Sequence, residues 1–209
     1  ANSSTYRTCY NSLGCIASCL DVTRQDHDDW CVGHEAGHNN QGVINLEGGT
    51  EVSNNLFSNF CRFLTGNVIS AGEALSSSMY EYAQGIPFAK RGGLMRMYYQ
   101  LYLYYHLGQR NTSFFPELFK ELRRDPLTDH YKNTNNSSLK FVRKVCEIAQ
   151  EDLTDFFQAW GFFKTCNNLK ISDYGNYTMT VKISDINRTK ATIAKYARKN
   201  REILFVEDR

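Results

Sequence analysis

Residues 31–41 read CVGHEAGHNNQ, and they hold two histidines four apart with a glutamate directly after the first. On an α-helix, positions i and i+4 share a face, so His34 and His38 can aim two imidazole nitrogens at one ion. Glu35 sits about 100° round the same helix. It can reach a metal-bound water without taking a coordination position, which is the place of a general base. With five histidines in 209 residues, HExxH arises by chance with a probability on the order of half a per cent. The alternative is an ordinary exposed helix turn, and the flanking residues decide between the two.

The flanking residues favour a hydrolytic metal site. A structural zinc site takes four protein ligands, usually including cysteine thiolates, whereas a catalytic one takes three and leaves a position for water. Downstream runs NLEGGTEVSNNLFSNF (45–60), which offers two carboxylates as third ligand, Glu47 and Glu51. Glu47 precedes the turn Gly48-Gly49. Thr50 reads as an N-cap and Glu51 as the opening of a helix with Val52, Leu56 and Phe60 apolar. A ligand on a helix holds its geometry better than one on a glycine turn, which favours Glu51 over Glu47. Asn55, one turn on, shares the face of Glu51 and can hydrogen-bond the far nitrogen of a ligand histidine.

At this point the sequence resembles a known family. GHEAGHNNQ (33–41) followed by EVSNNLFS (51–58) is similar to the signature of the mucin-degrading and enhancin-type zinc peptidases, peptidase family M-sixty, which are gluzincins. LMRMYYQLYLYY (94–105) and EDLTDFFQAWGFF (151–163) resemble that family's later helical segments, and ATIAKYARKNREILFVEDR (191–209) its closing helix and strand. The likeness covers most of residues 30–209. It implies His34, His38 and Glu51 as ligands of one zinc ion, Glu35 as the catalytic base, and O-glycosylated mucin-like protein as the substrate. The implied fold is mainly α, a gluzincin-type helical subdomain, with a small α+β C-terminal tail. Gluzincins place a β-sheet before the active-site helix, its edge strand binding the substrate backbone. Only 33 residues precede His34 here, so the expectation is the C-terminal portion of such a domain, with an N-terminal companion chain or fragment completing the cleft.

Composition narrows the classes. A chain of 209 residues with 42% hydrophobic content can bury a core. The net charge of +2 argues for neither nucleic acid nor an acidic membrane surface as partner. The basic residues near the end, Lys182, Arg188, Lys190, Lys195, Arg198, Lys199 and Arg201, read as a solvated helix face. No apolar run approaches the roughly 18 residues of a membrane span, and 94–107 is interrupted by Arg96, Gln100 and His106. Seven cysteines (9, 15, 19, 31, 61, 146, 166) include no CxxC pair, which favours disulfides over a thiolate metal site. Asn-x-Ser/Thr acceptors at Asn2, Asn111, Asn135, Asn136, Asn176 and Asn187 agree with a secreted, extracellular glycoprotein. An odd cysteine count adds the expectation of a disulfide to the upstream fragment.

Three parts are expected along the chain: a disulfide-pinned loop region over 1–29, a helical body with the zinc site over 30–165, and a small α+β appendage of the same domain over 166–209. The active-site helix is expected from about Trp30 to Gln41. Periodicity predicts helices over 94–107 and 138–150 and a shorter one carrying Leu153, Phe156, Phe157 and Trp160 that stops at Gly161, all with aromatic residues as core. Segment 70–84 gives a weaker helical signal. Tyr177, Met179, Val181 and Ile183 alternate with polar residues as a half-buried strand; a helix over 187–199 and a second strand over 203–206 complete a βαβ-like tail.

The chemistry expected of these residues is peptide hydrolysis by a zinc-bound water, with Glu35 moving the proton from water to leaving amine. A further donor usually helps at the developing oxyanion, and His130, Tyr131 and Tyr99 are candidates. The rival class is a secreted glycoprotein-binding or adhesion module that keeps the peptidase fold without cutting. A purely structural zinc domain is weaker still, because a fourth protein ligand is missing.

Overall fold

The computed structural model describes residues 2–4, 7–9, 12–21, 23, 29–66, 85–90, 94–127, 137–198 and 201–206, and among them helices dominate. The mainly α architecture expected from periodicity is the one found. The N-terminal part carries more structure than the loop expected over 1–29. Strands β1 (Asn2–Ser4) and β2 (Arg7–Cys9) pair antiparallel, and α1 spans Leu13–Leu20. This helix escapes a search for amphipathic spacing because its large apolar residues Leu13 and Leu20 face solvent while Cys19 is the buried one. The side chains of Cys9 and Cys15, on which the expected pinning depends, lie outside the described residues.

Helix α2 (Asp29–His38) carries the motif, α3 (Thr50–Ser53) is a single turn, and α4 (Asn55–Thr65) crosses α2 at close range. Two glycines permit that approach. A Cβ on Gly33 would stand 2.6 Å from Ser58 Cα, and one on Gly37 would stand 2.6 Å from the Asn54 carbonyl oxygen. Asp29, buried at the start of α2, ties down the far end of α4 by accepting from Arg62 Nε at 3.2 Å and from Thr65 Oγ1 at 2.5 Å. At its C-terminus α2 tightens through Asn40 N–H to the Gly37 carbonyl, and the Asn40 side chain caps the Ala36 carbonyl.

Beneath this pair lies an aromatic core. Helix α5 (Leu94–Leu101) widens into a π-helical turn over Tyr102–Leu107, closed by Gly108 N–H to the Leu103 carbonyl at 2.8 Å. Around it pack α6 (Phe114–Arg124), α7 (Ser137–Ala149) and α8 (Thr154–Ala159). Tyr98, Tyr105, Phe141, Phe156, Phe157 and Trp160 are buried here, as their spacing predicts. Several of the polar groups taken inside find partners. Tyr98 donates to the Ile44 carbonyl at 2.8 Å, and Gln100 accepts from Trp160 Nε1 at 3.0 Å while donating to the Leu204 carbonyl at 2.9 Å. Cys146 is a fully buried thiol that burial pushes up to about 12.

The C-terminal part departs from the expected βαβ order. Strands β4 (Cys166–Ser172) and β5 (Asn176–Val181) form an antiparallel hairpin with Ile171 opposite Tyr177 and Ser172 opposite Asn176. Ile171, Met179 and Val181 pack with Leu139 and Ile186 in a small second core. Helix α9 spans Ile183–Ile193, earlier than the expected 187–199, because Ile186, Thr189 and Ile193 turn inward along one face. Residues 203–206 do not form a strand. Arg201–Phe205 is a 3-10 turn; the Leu204 carbonyl accepts from Gln100 and the Val206 carbonyl just beyond the turn from Arg96, so no strand partner is needed. The parallel pairing falls instead on β3 (Glu151–Asp152) and β6 (Ala197–Arg198). Segment 70–84 lies outside the described residues.

Candidate metal centre

Helix α2 presents His34 and His38 one turn apart, with ring centroids 5.0 Å apart and the planes nearly perpendicular at 86°. Glu51, on the single turn α3, brings its Oε2 to 3.1 Å from His34 Nε2 and 3.6 Å from His38 Nε2. One ligand atom from each of the three residues lies within 4.8 Å of the others. Glu47 turns elsewhere, accepting from Ser137 Oγ at 2.5 Å. Thr50 does not cap its helix as expected. Its N–H and Oγ1 both donate to Asp173 Oδ2, at 3.1 and 2.8 Å.

The donor set fits a metal ion of the hydrolytic kind: two imidazole nitrogens, one carboxylate oxygen, and Glu51 half open to solvent. A second observation agrees. Asn54 Nδ2 lies 3.1 Å from both His34 Nε2 and His38 Nε2, while its Oδ1 is buried with no hydrogen-bond partner. An electropositive N–H group therefore sits where the two imidazole Nε2 atoms converge, and it also donates to the His34 carbonyl at 3.4 Å.

For both Nε2 atoms to offer lone pairs, both Nδ1 atoms must carry hydrogen and need acceptors. His34 Nδ1 has one in Asn55 Oδ1 at 2.6 Å, and Trp30 stacks on its ring at 5.1 Å. His38 Nδ1 meets the buried Gln41 carboxamide at 2.9 Å, and the other end of that amide meets Ser53 Oγ at 2.7 Å. A half-turn of the amide presents its oxygen to His38 Nδ1–H and its nitrogen to Ser53 Oγ, which accepts as readily as it donates. Sequence reading missed Gln41. Its signal was position, three residues beyond His38 as the helix ends.

Glu35 is buried, at 6% exposure. Tyr174 is the second residue that sequence reading missed. It is exposed at the hairpin tip, and the neighbouring Glu51 carboxylate raises its phenol above the ordinary value, with smaller contributions from Asp173 and Glu35.

The pattern of the peptidase M60, enhancin and enhancin-like family matches residues 1–161. The chain belongs to that family. A solved metallopeptidase in complex with Tn antigen is 33% identical to this enhancin-like chain, with a TM-score of 0.82 over 90% of it and 37% of the solved chain. A metallopeptidase from Bacteroides thetaiotaomicron is 32% identical, with a TM-score of 0.79 over 90% of this chain and 33% of its own. A functionally unknown conserved protein from Bacillus anthracis str. Ames, 20% identical with a TM-score of 0.60, shares the fold; the match covers 87% of this chain and 34% of that one. No curated protein matches. The enhancin-like chain spans about a third of the length of these solved relatives.

The remaining expected residues of this enhancin-like chain are scattered. Tyr99 is fully buried in the aromatic core, stacked on Tyr102 at 6.2 Å, so it offers no donor at the site. His130, Tyr131, Asn135 and Asn136 lie outside the described residues. Of the other glycosylation acceptors, Asn176 and Asn187 are exposed, Asn111 is half-buried with its amide donating to the Ile148 carbonyl, and Asn2 stands in β1.

Proposed function

We infer that this chain carries the active centre of a secreted zinc metalloendopeptidase that hydrolyses peptide bonds in mucin-like glycoproteins. The observation that carries the reading is the convergence of His34, His38 and Glu51 with Glu35 on the adjacent helix face. The similarity to a metallopeptidase in complex with Tn antigen supports a Tn-bearing glycoprotein as substrate. The number of Asn-x-Ser/Thr acceptors supports secretion.

His34 and His38 would hold the zinc through Nε2 and Glu51 through Oε2. The bound ion would supply Lewis acidity, polarising the scissile carbonyl and lowering the pKa of water to about 7. Asn55 and Gln41 keep the Nδ1 hydrogens engaged, so each imidazole turns a lone pair inward. Glu35 accepts the proton of the attacking water and returns it to the departing amine nitrogen. Its burial keeps competing bulk water from that carboxylate.

The test is cleavage of a Tn-bearing glycopeptide, and of the same peptide without the sugar, by the native protein before and after treatment with a chelator. Cleavage of the glycopeptide that stops with chelator and returns with zinc is the expected result. Stoichiometric zinc without any cleavage would favour the binding-module reading, and equal cleavage of the bare peptide would remove the glycoprotein requirement. The disulfide-linked companion segment belongs to the same proposal. Electrophoresis of the native protein with and without reductant reads it directly.

A further inference from the structure

We propose that the aromatic pocket between α4, the π-helical turn and α6 binds a small amphipathic anion: an apolar body with a carboxylate at one end and a hydrogen-bond acceptor at the other. The pocket lies apart from the metal centre, since none of His34, Glu35, His38 and Glu51 lines it.

Its walls follow from where the aromatic residues fall. Phe57 of α4 meets Phe119 of α6 with ring centroids 5.6 Å apart, and Phe60 meets Phe115 at 5.9 Å. These rings wall a cavity of about 560 Å³, a volume that takes a small organic molecule. Phe115, Phe119 and Arg123 recur every four residues, so they form one stripe along α6. From first to last it runs about 12 Å, at 1.5 Å per residue.

The two ends of the stripe offer donors. At one end the Arg123 guanidinium stands 5.8 Å from the centre of the Phe119 ring. The acids of α6 are engaged elsewhere, Glu117 with Lys120 and Glu121 with Arg124 and Lys144, and among the described residues no acid lines the pocket. At the other end is Tyr102, 6.1 Å from the Phe115 ring and 5.0 Å from that of Phe60. It lines the pocket and is 1% exposed, yet its hydroxyl has no hydrogen-bond partner among the described residues. A buried hydroxyl left in that state is uncommon, and an acceptor on a ligand satisfies it. Burial pushes this phenol up to about 12, so it stays a donor throughout the neutral range. His106 stacks on Tyr102 at 5.2 Å and is itself held by Nδ1, which donates to the Thr112 carbonyl at 3.1 Å. The turn that carries both rings is π-helical, a rare conformation that recurs at functional sites.

The complement of such a pocket is apolar along its length, negative at Arg123 and accepting at Tyr102. A guanidinium suits a carboxylate in particular, because its paired N–H groups match the two oxygens. An amine in the same place would meet like charge, and a plain hydrocarbon would leave the phenol unpaired.

Titration calorimetry of the full chain at neutral pH tests this with three probes about as long as the stripe: para-methoxyphenylbutyrate, para-ethylphenylbutyrate and para-methoxyphenylbutylamine. The methoxy acid should bind saturably at one site, the amine on the order of 10-fold more weakly, and the ethyl acid roughly 5-fold more weakly. Arg123→Met should erase the preference for acid over amine, and Tyr102→Phe the preference for methoxy over ethyl. Neither variant should lower the unfolding midpoint, because Arg123 is exposed and the Tyr102 hydroxyl has no partner to lose. No saturable binding of the methoxy acid, or either preference surviving the variant that should erase it, overturns the proposal.

Discussion

The Nδ1 atom of His34 lies 2.6 Å from the side-chain oxygen of Asn55, one helical turn beyond Glu51. That contact fixes the imidazole tautomer and points Nε2 at Glu51 and His38. Replacing Asn55 with Ala removes the acceptor while the helix persists. We expect zinc affinity to drop by about 10- to 100-fold, read by chelator competition. Asn55→Asp should retain most of it, because a carboxylate accepts the same hydrogen.

Gln41 is assigned the matching task at His38. In Gln41→Leu the His38 Nδ1–H loses its acceptor, and Ser53 Oγ loses its strongest partner at 2.7 Å. Zinc binding should weaken and the metal-free protein should also lose stability, by about 1–3 kcal/mol for the buried polar group left unpaired. Urea unfolding and zinc titration of the same variant separate the two effects. An unchanged affinity would remove Gln41 from the site.

Gly37 has no room for a side chain, since a Cβ would stand 2.6 Å from the Asn54 carbonyl oxygen. Gly37→Ala must push α4 away from α2, with an expected cost of about 1–3 kcal/mol as overpacking. It should lower zinc affinity as well, because Glu51 and Asn55 ride on the displaced segment. The exposed neighbour Ala36 is the control: Ala36→Ser should change stability by no more than about 0.5 kcal/mol.

A charge network joins α6 to α7. Lys144 pairs with Glu121 at 2.8 Å and Asp125 at 3.2 Å, and Lys140 also pairs with Asp125. Hydrogen bonds from Lys144 hold the Glu121 carboxyl below its usual range, and those from Lys140 do the same for Asp125. A carboxylate depressed by folding contributes stability above its unfolded value, and that contribution is lost as pH falls through the folded value. Acid should therefore destabilise the protein below about pH 4, and Lys144→Met should flatten that part of the profile of melting midpoint against pH. A parallel downward shift at every pH would show that the lysine acts through packing alone.

How much of this was legible in the sequence follows from how local each signal is. His34, Glu35 and His38 are one helical repeat, and Glu51 and Asn55 another, so spacing places each set on its own face without tertiary information. The aromatic helices are legible for the same reason, since Tyr98, Phe141 and Phe157 recur at core spacing. The C-terminal tail was not. Residues 203–206 read as a strand by their apolar run, but the side chains of Gln100 and Arg96 take the carbonyls of Leu204 and Val206. Asp173 was invisible because its partners Gly48 and Thr50 are more than a hundred residues away, and an Asp-Tyr-Gly turn carries no periodic signal. Thr50 misled for the complementary reason: a local N-cap motif is overridden by a carboxylate that only the fold delivers.

The central claim is that Glu35 performs the proton transfer while His34, His38 and Glu51 hold the metal. The most direct measurement is cleavage of a Tn-bearing glycopeptide by Glu35→Gln, taken with zinc content on the same sample. Glutamine keeps the size and hydrogen-bonding shape of the side chain but cannot accept the proton. The account predicts one zinc per chain and cleavage reduced by on the order of 10²-fold or more. Cleavage at the wild-type rate by the zinc-loaded variant would contradict it.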